Sequence, residues 1–371
     1  MPTKMNAFSI AMALIGTLIG AGYASGQELM QFFGAYGTNG IIGIGIAFVF
    51  FFIYAYTSMV VGHRMNSDNY AEVMSPAKNK FIMVFVDFAL FSFLFGVFVV
   101  MIAGSSAIFI EQLPMDFIPE SLQSMFGGLV LVILTALTAW WGLSSIQKGF
   151  NTAVPLLVLG SGIISLLVYL HPQAAMDEST ITPLTSPMVG NWASSAIIYV
   201  FYNMLVAVCV LIPLGFYAKT KQSTFWGALL GCAGFCGLAL LLILGIISNY
   251  SLVSETSIPM LVLAKSINPS LGYTYAIIMF LAIYSTAIGL IFGKLSRLRI
   301  AKWYNIKYDR VSIIAISIAG LILSKVGFVQ LVGIVYPFYG YISGILLFGL
   351  MFNLFYYSPA RIARGDVVIN K

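Results

Sequence analysis

The sequence predicts an all-α polytopic membrane protein of ten transmembrane helices, set as two inverted groups of five with the first and sixth spans broken. Three observations predict it. Hydrophobic residues make up 60% of the 371 and charged residues 8%, a composition that excludes an ordinary soluble domain. Ten apolar runs are long enough to cross hydrocarbon, which takes about 17–25 residues. Placing the N-terminus inside leaves only Lys265 and Lys325, of 18 Lys and Arg, on the outer side. That is the positive-inside bias, and it makes the net charge of +6 an orientation signal rather than a nucleic-acid signal.

The spans cover 7–33, 40–65, 81–110, 125–141, 148–170, 191–218, 224–249, 271–295, 310–326 and 329–357. They form one transmembrane domain over 1–371, with repeats at about 7–171 and 190–358. Five is odd, so the second half lies inverted against the first, an architecture that places binding sites at the repeat interface. The first span shows no small-residue cleavage site after it and reads as a span rather than a signal peptide.

Span 1 carries the sharpest signal, Gly16-Thr17-Leu18-Ile19-Gly20-Ala21-Gly22-Tyr23-Ala24-Ser25-Gly26-Gln27-Glu28. Glycines this dense weaken a helix. Irregular backbone at membrane depth is tolerated only where protein buries it or it lines a wet cavity. The competing reading is close helix packing through Gly16-x-x-x-Gly20 and Gly22-x-x-x-Gly26. Glu28 needs a further account, because packing requires no carboxylate. Three roles are open to it: an anion steadied by a helix dipole, a partner for a substrate ammonium beside aromatic faces, or a proton site.

Span 3 opens with Phe81 and reaches Asp87 about 9 Å deep at 1.5 Å per residue. A carboxylate there is either a proton site or a structural partner of Lys148 and nearby polar groups. Gly104-Ser105-Ser106 reads as a helix-packing patch. Span 6 holds Tyr199, Tyr202 and Asn203 near mid-membrane, followed by Pro213-Leu214-Gly215, which predicts a break or a kink. The loop 249–269 contains an apolar stretch at Met260, read as a lid helix or as a helix resting on the membrane surface. Span 8 carries Ser285 and Thr286, whose hydroxyls bond their own helix carbonyls or a ligand. Span 10 holds Tyr336 and Tyr339, which line a cavity or pack.

Cys209, Cys232 and Cys236 lie in apolar spans without further metal-ligating partners and read as small packing residues. His63 and His171 sit at opposite span ends. There is no phosphate-binding loop, ligand cluster or nucleophile–base pair, so the chain reads as a non-enzyme without a cofactor. Its partners are the lipid bilayer and a small-molecule substrate.

The ten spans in two inverted fives and Gly16-x-x-x-Gly20-x-Gly22 resemble the LeuT-fold (amino acid–polyamine–organocation) transporters. The span 1 motif followed by Phe32-Phe33-Gly34 resembles, more narrowly, the bacterial YkvI-like membrane proteins of that superfamily. The architecture covers the whole chain, while the motif is confined to span 1 and, more weakly, span 8. The resemblance implies a substrate cradle at Gly20, Ala21 and Gly22; by their depth, charge and aromatic faces Tyr23, Glu28, Tyr199, Tyr202 and Asn203 are read as the side chains around it. It also implies a sodium site built from Gly16 and Ile19 of span 1 and Ala282, Ser285 and Thr286 of span 8, all oxygen ligands suited to a hard cation. Two departures stand out. Tyr23 occupies the position of an asparagine ligand of the second sodium site. Lys148 lies shallower than the span 5 lysine of proton-driven relatives. The implied function is a secondary transporter of a small amino acid, related amine or zwitterion in the bacterial cytoplasmic membrane, with both termini cytoplasmic and sodium as the coupling ion. The alternatives are proton coupling through Glu28 or Asp87, and a membrane receptor that binds a small ligand without moving it.

Overall fold

The computed structural model describes residues 5–113, 119–141, 153–172, 186–218, 220–300 and 304–364. Span 1 is three short helices: α1 (Ala7–Leu18), α2 (Ala21–Ala24) and α3 (Gln27–Phe32). Asn6 starts α1 by accepting the Ser9 amide at 2.8 Å, a side-chain N-cap. The helix ends at Ile19, whose backbone is extended at φ −82°, ψ 107°. A second interruption falls at Gly26, which is left-handed at φ 81°, a conformation that glycine adopts without steric cost. The expected break of span 1 is therefore present, and double.

Then follow α4 (Thr38–Met65), the short α5 (Tyr70–Met74), α6 (Lys80–Gln112), α7 (Glu120–Trp140), α8 (Ala153–Leu170), α9 (Trp192–Phe216) and α10 (Lys221–Ile247). The remainder is α11 (Tyr250–Val253), α12 (Pro259–Ile267), α13 (Pro269–Ile300), α14 (Asp309–Ser324), α15 (Phe328–Tyr356) and α16 (Pro359–Arg364). Among the described residues, seven helices are long and apolar enough to cross a membrane: α4, α6, α7, α9, α10, α13 and α15. The shorter α1, α8 and α14 occupy the stretches read as spans 1, 5 and 9.

Span 6 corrects the sequence reading. It is one helix, α9, with Pro213 inside it rather than a break. Its start is secured by a capping box at Asn191 and Ser194. No glycine separates Gly190 from Gly215, and a proline in the last turn removes a single donor. Span 1 breaks where four glycines cluster, and span 6 has no such cluster, only Gly215 in its last turn.

Packing sets α1 against α10 and α4 against α9 and α10, while α6 meets α7, α13, α14 and α15. Small residues bring these helices together. A Cβ on Gly231 would lie 2.7 Å from Leu14 Cδ2, and one on Gly234 2.8 Å from Ile15 Cδ1. Ser105 and Ser106 do pack, the first donating to the Gly127 carbonyl at 2.7 Å and the second accepting the Gly128 amide at 2.9 Å.

Two charged residues differ from expectation. Asp87 is not buried: its side chain is 47% exposed, 3.3 Å from Arg297 Nη1, and accepts the Tyr70 hydroxyl at 2.5 Å. Its position near the start of α6 allows it to reach the surface. The partner once expected for it, Lys148, lies outside the described residues. Lys294, counted with the inner loop, is 2% exposed. Its ammonium donates to the Phe91 carbonyl at 3.1 Å and sits over the Phe91 and Phe95 rings at 3.9 and 4.8 Å. Aromatic faces and a carbonyl thus replace the water that a loop lysine would keep.

The close approach of α4 and α9 at Gly215 yields a prediction. A Cβ there would run into the backbone of Met59, whereas one on Gly237 meets nothing within 4 Å. Gly215→Ala should cost about 1–3 kcal/mol through overpacking, and Gly237→Ala should be neutral or mildly stabilising. Thermal unfolding of the purified variants checks the contrast; equal shifts would show that the helices give way at Gly215.

Candidate substrate and ion site

The interruption of span 1 frees backbone groups that neighbouring elements collect. The Tyr275 hydroxyl donates to the Ala24 carbonyl at 2.6 Å, and the Met260 amide to the Ser25 carbonyl at 3.0 Å. Ser25 closes the remaining turn, donating from its hydroxyl to the Gly22 carbonyl at 2.6 Å and accepting the Gln27 amide at 3.2 Å. Met260 belongs to α12, where Met260, Leu261, Leu263 and Ala264 are fully buried. The loop expected to be either a lid or a surface helix is therefore packed onto the break.

Glu28 lies in the first turn of α3 and is 7% exposed. Tyr202 of α9 donates to its Oε2 at 2.9 Å, and the Tyr336 hydroxyl of α15 also reaches the carboxylate. The two phenol rings stack on each other with centroids 4.7 Å apart and an interplanar angle of 11°. Phe93 of α6 stands edge-on to both, at 6.4 and 6.3 Å. Its carboxylate folds back so close to α2 that a Cβ on Gly22 would collide with its Oε1. Glycine at 22 is therefore required by the carboxylate, not by helix packing. No described Lys or Arg pairs with Glu28.

These groups edge a cavity of about 160 Å³ that also takes in Thr17, Gly20, Asn203 and Thr286. Leu94, Val97, Val206 and Leu290 supply its apolar wall. Its volume matches a molecule of a few heavy atoms. One carboxylate, phenol, hydroxyl and amide groups and apolar walls line it, with no described cation. At Gly20 the backbone faces open space, since a Cβ there would meet nothing within 4 Å. The first turn of α2 has amides that its own helix cannot satisfy.

The residues expected around the substrate divide. Gly20, Gly22, Glu28, Tyr202 and Asn203 meet at the cavity. The Asn203 amide donates back to the Tyr199 carbonyl at 2.9 Å. Ala21 begins α2 between the two glycines. Tyr23 turns away: it is 1% exposed, donates to the Phe235 carbonyl at 2.8 Å and packs on the Phe235 ring. Tyr199 also leaves the cavity and packs among Phe32, Phe33, Phe51 and Phe235, its hydroxyl unpartnered among the described residues. Both tyrosine rings meet Phe235 of α10, a direction that aromatic content alone does not reveal.

Of the expected sodium ligands, Thr286 lines the cavity, and its hydroxyl donates to the Ala282 carbonyl at 2.9 Å. That bond uses the hydroxyl proton and leaves the oxygen lone pairs available to a cation. Ser285 and Ala282 are buried beside it, and Ile19 is buried at the end of α1. Gly16, one turn earlier, has nothing within 4 Å of a built Cβ. Thr17 and Phe93 were not expected here. Thr17 lies inside the glycine motif, whereas Phe93 is one of 29 phenylalanines and carries no pattern of its own.

No family model matches the chain. It is 28% identical over 349 residues to an uncharacterized membrane protein YkvI of Bacillus subtilis (strain 168), covering 92% of this chain and 94% of that one. It is also 28% identical over 350 residues to an uncharacterized protein YyaD of the same organism, with the same coverage. Among solved structures, it superposes on the inward-facing conformation of Mhp1 with a TM-score of 0.63 at 14% identity, covering 94% of this chain and 76% of that one. MhsT in complex with L-phenylalanine gives 0.59 at 15% identity, covering 92% and 87%. A manganese transporter of Eremococcus coleocola gives 0.53 at 12%, covering 94% and 78%. At such identities the structures speak for the fold alone. The chain thus has the fold of these LeuT-type transporter structures, and over 92% of its length it is similar to YkvI and YyaD.

Proposed function

We propose that the chain is a secondary transporter of a small amine-bearing solute, either an amino acid or a related amine, coupled to sodium. The observation that carries this reading is the buried Glu28 carboxylate at the edge of the cavity, held by the Tyr202 phenol with Tyr336 beside it and opposed by no described cation. An ammonium group supplies the missing positive charge, and the aromatic rings beside it favour a cation. For an amino acid, the open backbone at Gly20 and the amides of α2 offer the opposite end a place. L-Phenylalanine is named as a ligand of one fold neighbour, which is compatible with this class of solute.

The coupling cation is assigned to the oxygens of Gly16, Ile19, Ala282, Ser285 and Thr286. What supports it is Thr286 of span 8, which lines the same cavity as Thr17 and Gly20 of span 1. The charge bias supports a bacterial cytoplasmic membrane location with both termini inside. A second reading is proton coupling at Glu28, favoured by the same want of a cationic partner: a lone carboxylate away from water is costly unless something neutralises it. Asp87, exposed and paired with Arg297, suits that task poorly.

Uptake of labelled amino acids and amines into proteoliposomes tests transport against binding alone. Glu28→Gln preserves shape and removes charge. On the amine reading, affinity should fall about 10- to 100-fold, the range of a charge-assisted hydrogen bond. On the proton reading, affinity should survive while accumulation driven by a pH gradient is lost. A variant that transports like wild type under both conditions would sink both roles.

The glycines separate packing from ligand contact. Gly22→Ala pushes directly on Glu28 and should abolish binding. Gly20→Ala should leave thermal stability unchanged yet weaken binding, because the added methyl fills cavity space. If both variants bind like wild type, the motif serves helix packing only.

Thr286→Ala removes one cation oxygen. The sodium concentration giving half-maximal ligand binding should rise several-fold, with a smaller rise for Ser285→Ala. Equal ligand affinity of the wild type in sodium, potassium and choline would overturn the sodium assignment.

A further inference from the structure

At the basic end of the bundle, away from the Glu28 cavity, a pocket of about 480 Å³ lies between the C-terminal end of α7, the last turns of α13 and the start of α14. Trp140, Trp141, Arg299, Lys307, Asp309 and Arg310 line it. Asp309 is already engaged. Arg299 bonds it through two guanidinium nitrogens, and the Tyr304 hydroxyl donates to it at 2.9 Å. Arg299 and Asp309 therefore neutralise each other. Lys307 and Arg310 are exposed and have no carboxylate partner among the described residues. The Arg310 guanidinium lies 4.9 Å over the Trp140 ring, which fixes a positive charge at the rim. The pocket carries two positive charges in excess.

What lies beside the pocket decides which anion suits it. The adjoining helices α7 and α14 present exposed apolar side chains away from the basic end: Ile133 and Leu137 on α7, Val311, Ile314 and Ile318 on α14. These helices pack against each other. A molecule seated with its charge at Lys307 and Arg310 therefore has an apolar surface beside it. Exposed Trp141 stands at the boundary, where tryptophan is commonly found between headgroups and acyl chains. A free phosphate would use the charge and leave the apolar surface unmatched.

We propose that this pocket is a binding site for the headgroup of an anionic phospholipid, its phosphate against Lys307 and Arg310 and its acyl chains along α7 and α14. Juxtamembrane basic clusters attract anionic headgroups, and basic pockets between transmembrane helices hold them. The site is separate from the substrate cavity and stands whether or not the transport reading does.

The test uses the full chain in detergent with added dioleoyl phosphatidylglycerol, dioleoyl phosphatidylcholine or inorganic phosphate, read by native mass spectrometry and thermal unfolding. Wild type should retain phosphatidylglycerol in preference to phosphatidylcholine and gain stability from it, whereas inorganic phosphate should give no comparable gain. Lys307→Gln and Arg310→Gln should each lower the preference about fivefold. Both side chains are exposed, so the fold should tolerate the changes; Lys307→Gln alone suffices if Arg310→Gln fails to purify. In wild type, the preference should also shrink as salt is raised. Equal retention of the two lipids, variants that retain phosphatidylglycerol like wild type, or a preference indifferent to salt would each overturn the proposal. Stabilisation by inorganic phosphate equal to that by phosphatidylglycerol would mark a soluble-anion site and overturn the lipid assignment.

Discussion

A chain that leaves helical geometry inside hydrocarbon must find other partners for the amides and carbonyls it uncovers, since no water is at hand to take them. The arrangement around span 1 follows from that constraint. The Ala24 carbonyl goes to Tyr275 of α13, the Ser25 carbonyl to α12, and the Gly22 carbonyl to the hydroxyl of Ser25. Helices far away in sequence are thereby held against residues 20–26. The cavity lies beside this repair because the break leaves unwound backbone and a carboxylate next to each other. Architecture and site have one origin, the failure of one span to remain a helix.

The carboxylate, in turn, depends on the glycine below it. Glu28 occupies space that any side chain at 22 would claim, and it is steadied by hydroxyls from α9 and α15. Three separate parts of the sequence thus converge on one charged group. The stacking of Tyr202 on Tyr336 fixes both phenols, so Glu28 is held by rigid groups with little rotamer freedom. A binding group held in this way has less ordering cost when its partner arrives.

Much of this was legible in the sequence, and the limits have physical causes. The break of span 1 was visible because four glycines and a carboxylate in one apolar run admit few explanations. Glu28 could be named as a carboxylate that packing does not require, and Tyr202 and Asn203 from their depth in span 6. Span 6 was misread because Pro213-Leu214-Gly215 signals a break by composition, whereas its place in the last turn makes it nearly harmless. Tyr23 and Tyr199 were placed at the ligand because tyrosine is equally at home in a cavity or a core; only the rotation of each helix decides. Lys294 illustrates the same limit for charge. Counting places it at a span end, while the pair of phenylalanine rings that shelters it comes from a helix about 200 residues earlier in the chain.

The bond between the Met260 amide and the Ser25 carbonyl has a mechanical meaning. It ties α12 to a single peptide unit in the interrupted part of span 1, next to left-handed Gly26 and three residues from Glu28. A covering segment that rested only on side chains could slide aside and leave the backbone beneath it undisturbed. Here, displacing α12 either drags that peptide unit along or leaves its carbonyl bare in an apolar setting. Opening on that side and the local shape of the carboxylate's surroundings therefore behave as one degree of freedom, a hinge and its latch made from the same peptide.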